Sequence, residues 1–284
     1  MKETTLPVRL FRLARLLFLL AEGALTVTVV LPVAGREARD RLIARWSRRL
    51  LRILHVELRA AGLPAPGEPA GSLIAANHIS WLDIVVINAV RPSRFVAKAE
   101  VRDWPLIGWM TQKTGNVFIA RRKRGACLPV IRTMRSLLRQ GEGVVFFPET
   151  TTTDGTEIKP FHTELFEAAR QTQAHIWPAA IRYANPDGTR SEAPAFVGET
   201  SLVESLGILL RAPALQAHLA FAAPIPTASR TRREMGQAAQ EAIAGLLRLP
   251  SPRVRRRRPA SRIQQLPLPD GIPFQLPVSK VGCA

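Results

Sequence analysis

Tyrosine occurs once in this chain and cysteine twice, and acidic residues are outnumbered by basic ones, 22 to 40. Two cysteines, Cys127 and Cys283, cannot build a disulfide framework, and such sparing use fits a reducing compartment. The formal net charge of +18 calls for a negatively charged partner, either nucleic acid or an anionic membrane surface. Aromatic residues make up only 6%, and no basic segment is interleaved with the rings on which single-stranded nucleic acid stacks, so nucleic acid is not the expected partner. His55, His162, His175 and His218 are scattered without neighbouring cysteine or carboxylate pairs, so no metal centre is expected. With 46% hydrophobic residues over 284 positions, the chain can still bury a sizeable core, which excludes a mainly disordered protein.

The chain also lacks a clean apolar run of the roughly 20 residues that a membrane-spanning helix needs. Leu16 to Leu31 is strongly apolar but is interrupted by Glu22, with Arg9, Arg12 and Arg15 before it and Arg36, Arg39 and Arg41 after it. Paired basic flanks suit a helix that lies in the membrane interface, or enters one leaflet and returns, better than a single span. A buried core helix and a secretory signal are the other readings, and Pro32 to Gly35 makes a poor cleavage site. Downstream, "DRLIARWSRRLLRILHVELRAAG" places Leu42, Ile43, Trp46, Leu50, Leu51 and Ile53 on an apolar stripe opposite arginines. It reads as one basic amphipathic helix, able to lie on headgroups or to cover a core. Residues 1–60 are therefore expected to be membrane-associating helices.

From Leu73 onward, short apolar strands alternate with helical stretches. The strands are "LIAAN", "RFVAKAE", "NVFIAR", "GVVFFPE", "HIWPAAIRY" and "AHLAFAAPI". Helices are expected at Ser80–Val90, Trp104–Thr114, Ala126–Gln140 and Phe161–Thr172, with a last one through "RREMGQAAQEAIAGLLRL". This pattern predicts an α/β domain over residues 61–248, a largely parallel sheet covered by helices on both faces. "NPDGTRSEAP" is a surface loop by its turn residues, and the proline-rich residues 249–284, with "RVRRRRP", are expected to be a disordered basic tail.

"ANHISWLD" raises the functional question, because His78 and Asp83 stand five positions apart in apolar surroundings. On one continuous helix they would point about 140° apart, so the helix has to begin between them. A capping box from Ser80 to Asp83 supplies that start and leaves His78 in the turn after a strand. Asp83 can then lean back toward the imidazole, making a base, its orienting carboxylate and a helix N-terminus whose N–H groups could meet an oxyanion. The plainer reading is a capping aspartate beside a hydrogen-bonded loop histidine. Glu149 falls at another strand's carboxyl end, where sites in such sheets lie.

Four blocks, "NHISWLD" (77–83), "GNVFIARR" (115–122), "FPETTTTDG" (147–155) and "IWPAAIRY" (176–183), occur in an order and spacing that resemble the glycerolipid acyltransferase family. The likeness is to its bacterial lysophosphatidic acid acyltransferase type, including lyso-ornithine-lipid relatives. The resemblance implies transfer of a fatty acyl group from acyl-CoA or acyl carrier protein, as co-substrate and without a cofactor, to a lysolipid hydroxyl. It makes His78 the general base and Asp83 the carboxylate that holds the imidazole tautomer. No acyl-enzyme is required, and the chain has no Gly-x-Ser-x-Gly elbow on which to form one. The second block would bind the acceptor: Gly115 lets the backbone pass close, Phe118 packs, and Arg121 presents a guanidinium fork to the headgroup. Read alone, "ARRKRG" is equally a solvated basic loop.

The third block departs from the family's Phe-Pro-Glu-Gly-Thr. Phe147, Pro148 and Glu149 are kept, but Thr150 stands where glycine is usual, followed by Thr151. Glycine there would permit a positive φ, at which threonine is poor. His162 and Glu164 replace a lysine and a glycine of many phosphatidate-forming relatives, which suggests an acceptor such as a lyso-ornithine lipid. His162 itself reads as a surface or packing residue. Trp104, Leu106, Ile107 and Trp109 could line an acyl tunnel, sit at the membrane interface or form helical core. The expected setting is the cytoplasmic face of the inner membrane, monotopic or single-span, among anionic lipids. The competing readings are an acyltransferase-like lipid-binding scaffold disabled at Thr150, and a nucleic-acid binder acting through the basic tail.

Overall fold

In the computed structural model, which describes residues 3–63, 71–120 and 125–252, the apolar segments assemble into one sheet. Its strands, seven among the described residues, are β1 Val56–Ala61, β2 Leu73–Ala76, β3 Arg94–Lys98, β4 Val117–Ile119, β5 Val144–Phe146, β6 Ile176–Ala184 and β7 Leu215–Phe221. They lie in the order β1-β7-β6-β2-β5-β3-β4. Strands β6, β2, β5, β3 and β4 run parallel, β7 is antiparallel to β6, and β1 is parallel to β7. The helices are α1 Leu6–Leu25, α2 Arg36–Ile53, α3 Leu82–Val90, α4 Ile107–Lys113, α5 Cys127–Arg139, α6 Glu167–Thr172, α7 Leu202–Arg211 and α8 Arg232–Leu247.

Period-two alternation divides the core between the two faces of the sheet. Ile74, Ala76, Phe95, Val145 and Phe147 face a layer from α1, α2, α3 and α7. Leu73, Ala75, Val96, Val117, Ile119, Val144 and Phe146 face α5, α6 and α8. The central strands are buried on both faces, which is why they read as unbroken apolar runs. Strand β7 instead alternates buried and half-buried residues.

Several expectations are corrected. The basic amphipathic helix ends at Ile53, where His55 takes a φ of 53°, and "VELRAA" continues as edge strand β1, paired with β7 from Val56↔Leu215 to Ala61↔Ala220. A boundary at residue 60 therefore falls inside a strand, and Met1–Arg253 is one unit. The helix expected from Ser80 starts at Leu82. Only Ile107–Lys113 of Trp104–Thr114 is α-helical, following a turn at Leu106 with a φ of 58°. Phe161–Thr172 is α-helical only from Glu167, because the Phe161 and His162 N–H groups are drawn out to Gln240 Oε1 and the Pro148 carbonyl. Helix α7, capped by Ser201 Oγ accepting from the Glu204 N–H, had no counterpart in the pattern. The expected disordered tail lies outside the described residues from 253 onward.

The N-terminal helix is stitched to the domain by the residues that broke its apolar run. Arg12 is buried and donates to the carbonyls of Leu210, Ala212 and Pro213 at 3.1, 2.7 and 3.2 Å, where the end of α7 leaves acceptors unmet. Glu22 pairs with Arg49 on α2, and the Trp46 indole donates to the Leu19 carbonyl at 3.1 Å. Leu16 and Leu19 enter the core, while Leu6, Leu10, Phe11, Leu17, Phe18 and Leu25 remain exposed. Leu6–Val30 is apolar and long enough to cross a membrane, yet only 22% of its most apolar window is buried in the protein. A helix with one anchored face and a broad bare apolar face has the form suited to lying on a membrane or a partner surface.

Candidate active site

His78 leaves the carboxyl end of β2 in a turn that Asp83 organises. The Asp83 carboxylate is fully buried and collects four donors. Oδ2 accepts from the backbone N–H groups of Ile79 and Ser80 at 2.8 and 2.9 Å and lies 2.8 Å from His78 Nδ1. Oδ1 accepts from the Tyr183 hydroxyl at 2.8 Å. The expected capping box is thus displaced. Asp83 reaches back to Ser80, Ser80 Oγ accepts from the Leu82 N–H at 3.2 Å, and one carboxylate both starts the helix and holds the imidazole. The two readings of the His78–Asp83 stretch, cap and orienting acid, are the same set of contacts.

An acceptor-only carboxylate at Nδ1 puts the ring proton there and the lone pair on Nε2. The imidazole is stacked on Phe147, ring centres 3.8 Å apart and planes 8° apart, and its side chain keeps 17% exposure. Phe147 packs in turn toward Phe95. Two covalently distant supports complete the mounting. Asn77 exchanges hydrogen bonds with the backbone of Ile181 on β6, and the Thr153 N–H donates to the His78 carbonyl at 2.9 Å.

Glu149 follows β5, the neighbour of β2. Its carboxylate is 2% exposed and accepts from the His78 N–H at 3.0 Å and the Lys159 N–H at 3.2 Å. Burial pushes its pKa up to about 7, against the opposing pull of those two N–H groups, with the nearby Asp83 charge adding to the rise. Glu149 therefore braces the histidine loop through its backbone. Pro148 is buried, and its carbonyl accepts from the His162 N–H. Thr150 has a φ of 60°, the conformation that glycine would adopt freely, and its N–H donates to the Phe147 carbonyl at 3.0 Å. Thr150 and Thr151 are half-buried beside this loop, and His162 is exposed.

The second block divides. Phe118 alternates with the buried Val117 and Ile119, so it faces the same side of the sheet as Phe95 and Phe147, with the Arg102 guanidinium 4.4 Å above its ring. Arg121 to Arg124 lie outside the described residues. Gly115 is corrected. It sits two residues before β4, level with Arg94 and Leu73, five residues below His78, or about 16 Å along the strand direction. Its φ of 76° and its N–H to the Gln112 carbonyl close helix α4, and a Cβ there would come within 3.0 Å of the Arg94 guanidinium. This glycine serves a helix end at the opposite edge of the sheet.

The expected oxyanion donors are corrected as well. Around the start of α3, the N–H groups of His78, Ile79, Ser80, Leu82 and Asp83 already have partners in Glu149, Asp83, Ser80 Oγ and the Ser80 carbonyl, so among the described residues only that of Trp81 is left from this run. Tyr183, the chain's single tyrosine, is the site residue that sequence reasoning missed. It is fully buried, and burial followed by the Asp83 charge raises its pKa well above the usual phenol range, so it stays a donor. The available signal was a lone phenol ending an apolar strand within the fourth block. The groups of histidine, cysteine, aspartate and glutamate that could hold a metal number none among the described residues.

An imidazole whose Nε2 has no partner among the described residues, held by a buried carboxylate at the carboxyl edge of an α/β sheet, is an arrangement able to take a proton from an attacking nucleophile. The Acyltransferase family model matches residues 63–182. A lyso-ornithine lipid O-acyltransferase of Pseudomonas aeruginosa is 37% identical over 240 residues, 82% of this chain and 91% of the relative. A 1-acyl-sn-glycerol-3-phosphate acyltransferase of Neisseria meningitidis serogroup B is 41% identical over 160 residues, 56% of this chain and 62% of the relative. The crystal structure of the 1-acyl-sn-glycerophosphate acyltransferase of Thermotoga maritima shares the fold, with a TM-score of 0.59 at 19% identity over 84% of this chain and 96% of that one. The chain belongs to the acyltransferase family.

Proposed function

We propose that this protein is a membrane-associated O-acyltransferase that moves a fatty acyl group from acyl-CoA or acyl carrier protein to the hydroxyl of a lysolipid. The observation that carries the reading is the His78–Asp83 pair, with Nδ1 fixed at 2.8 Å and Nε2 left as the base. His78 Nε2 takes the hydroxyl proton as the oxygen attacks the thioester carbonyl. The carbon–sulfur bond then breaks, and the imidazolium returns the proton to the departing thiolate. Asp83 stabilises the imidazolium, and Tyr183 and the two loop N–H groups hold Asp83 in place. Phe118 and the Thr150–Thr151 turn border the acceptor, and Arg121, which lies outside the described residues, supplies the guanidinium for its headgroup. Glu149 with Pro148 shapes the loop that carries the base.

Lyso-ornithine lipid is the acceptor we favour, because an enzyme of that name is 37% identical over 91% of its own length and because His162 and Glu164 stand where many phosphatidate-forming relatives carry a lysine and a glycine, so one fixed positive charge is missing. The membrane attachment is monotopic. Arg12, Leu16, Leu19 and Glu22 tie α1 into the domain along its length, so it lies against α2 instead of leaving to span a bilayer. Exposed Leu106 and Trp109 extend the apolar surface near α1, where Met110 meets Gly23. The basic surplus supports a position on the cytoplasmic face of the inner membrane. The test supplies a radiolabelled acyl thioester with lyso-ornithine lipid and with lysophosphatidic acid in parallel, to protein in liposomes. A labelled diacyl product with lyso-ornithine lipid is expected, product only with lysophosphatidic acid would reverse the acceptor, and product with neither would refute the reading.

A further inference from the structure

We propose that the groove between α1 and α2 is a binding site for an anionic phospholipid that anchors the enzyme without being its substrate. The proposal rests on the membrane-associated reading given above. The groove is a cavity of about 350 Å³, and it shares no lining residue with the His78 site. Its apolar walls are Phe11 and Phe18 from α1 and Ile53 from α2, and its cations are Arg15, Arg49 and Arg52. Phe11 and Phe18 are 62% and 67% exposed, unusual for phenylalanine beside water and ordinary for phenylalanine beside acyl chains.

Charge decides the class of lipid. Arg49 is neutralised by Glu22, which leaves two guanidinia. Arg15 lies over the Phe11 ring, 5.5 Å from its centre, and Arg52 makes only a 3.4 Å bond from Nε to the Arg48 carbonyl. Neither has an ion pair among the described residues. Two uncompensated guanidinium forks beside an apolar wall complement a phosphodiester with its acyl chains. Free phosphate would leave the phenylalanines bare, and a zwitterionic lipid would bring its own cation against the arginines.

Topology gives the site a purpose. Strand β1 runs antiparallel to β2, so its beginning, and with it the end of α2 that carries Arg49, Arg52 and Ile53, lies toward the sheet edge from which His78 projects. A phospholipid held in the groove therefore pins the catalytic edge to the headgroup layer of the bilayer.

The test is co-sedimentation of the full chain with vesicles of phosphatidylcholine alone and of phosphatidylcholine mixed equally with phosphatidylglycerol. Arg15→Gln/Arg52→Gln alters two exposed side chains and leaves the core untouched. Arg132→Gln/Arg139→Gln on α5 removes the same charge from the opposite face of the sheet. The wild type is expected to bind both vesicles and to prefer the anionic ones. The groove variant keeps phosphatidylcholine binding and loses about tenfold or more of the preference, at roughly a factor of five per arginine, while the α5 variant stays within about twofold. Equal loss in both variants would assign the preference to diffuse surface charge and overturn the site, as would no loss in the groove variant. A wild type that binds both vesicles equally also overturns it while leaving membrane association intact. A wild type that binds neither overturns the membrane-associated reading as well.

Discussion

Replacing Glu149 with glutamine should flatten the pH dependence of stability. In the folded protein the Glu149 carboxyl is buried and its pKa is raised from 4.5 to about 7. Between those values the native state holds a proton that the unfolded chain has released, so this group's contribution to stability is fully present below pH 4.5 and is lost as the pH rises through 7. At 1.36 kcal/mol per unit the full loss is about 3 kcal/mol. Glutamine has the same shape, keeps an oxygen for the His78 or Lys159 N–H, and carries no charge to desolvate. Urea unfolding of wild type and Glu149→Gln at a series of pH values isolates the effect. The two should be nearly equal near pH 4, and the variant should be more stable by up to about 3 kcal/mol near pH 8. A wild-type-minus-variant difference that is flat with pH, or that runs in the opposite direction, would refute the assignment of burial as the dominant influence on this carboxyl.

Thr150→Gly should relieve a left-handed backbone that costs a β-branched residue about 1–2 kcal/mol, less about 0.5–1 kcal/mol for the freer unfolded glycine. A net gain of about 0.5–1 kcal/mol in urea unfolding is expected, and a loss would show that Thr150 is not strained. Tyr183→Phe removes a donor from a fully buried carboxylate oxygen, which should cost about 1–3 kcal/mol in stability and slow acyl transfer with little change in acceptor KM. Unchanged turnover would take Tyr183 out of the mounting of the base. Arg12→Met removes one donor from each of three carbonyls at and beyond the end of α7, that of Leu210 keeping the Thr4 hydroxyl. Hydrogen exchange in Leu6–Leu25 should accelerate while the sheet stays protected, and an unaltered α1 would show that its apolar contacts suffice to dock it.

What was legible in the chain was what is local. His78 and Asp83 lie within one strand–turn–helix, so the demand that the helix begin between them was enough to bring the two side chains together. The glycine usual at position 150 would permit a positive φ or a close approach of substrate, and the threonine there adopts the positive φ. Tyr183 meets Asp83 only through the pairing of β2 with β6, 100 residues away in sequence, and no periodicity reports such a contact. Strand β1 was hidden because its arginine and leucine continue the composition of α2, and only the positive φ at His55 separates the two. Gly115 misled because a glycine before a basic block suits a binding loop as well as a helix end, and only the register shows at which edge of the sheet it lies. The oxyanion donors are fewer than a free helix start would offer, since one aspartate takes the N–H groups of Ile79 and Ser80.

The central claim is that His78 is the base, and its most direct test is the single-turnover rate of acyl transfer by wild type and His78→Ala in the same liposomes, with folding checked by circular dichroism. The alanine variant should stay folded, since the ring it loses is partly exposed and stacks on one face of Phe147, and its rate should fall by about 10²–10⁴-fold. A folded His78→Ala protein that transfers acyl groups at the wild-type rate would contradict the account.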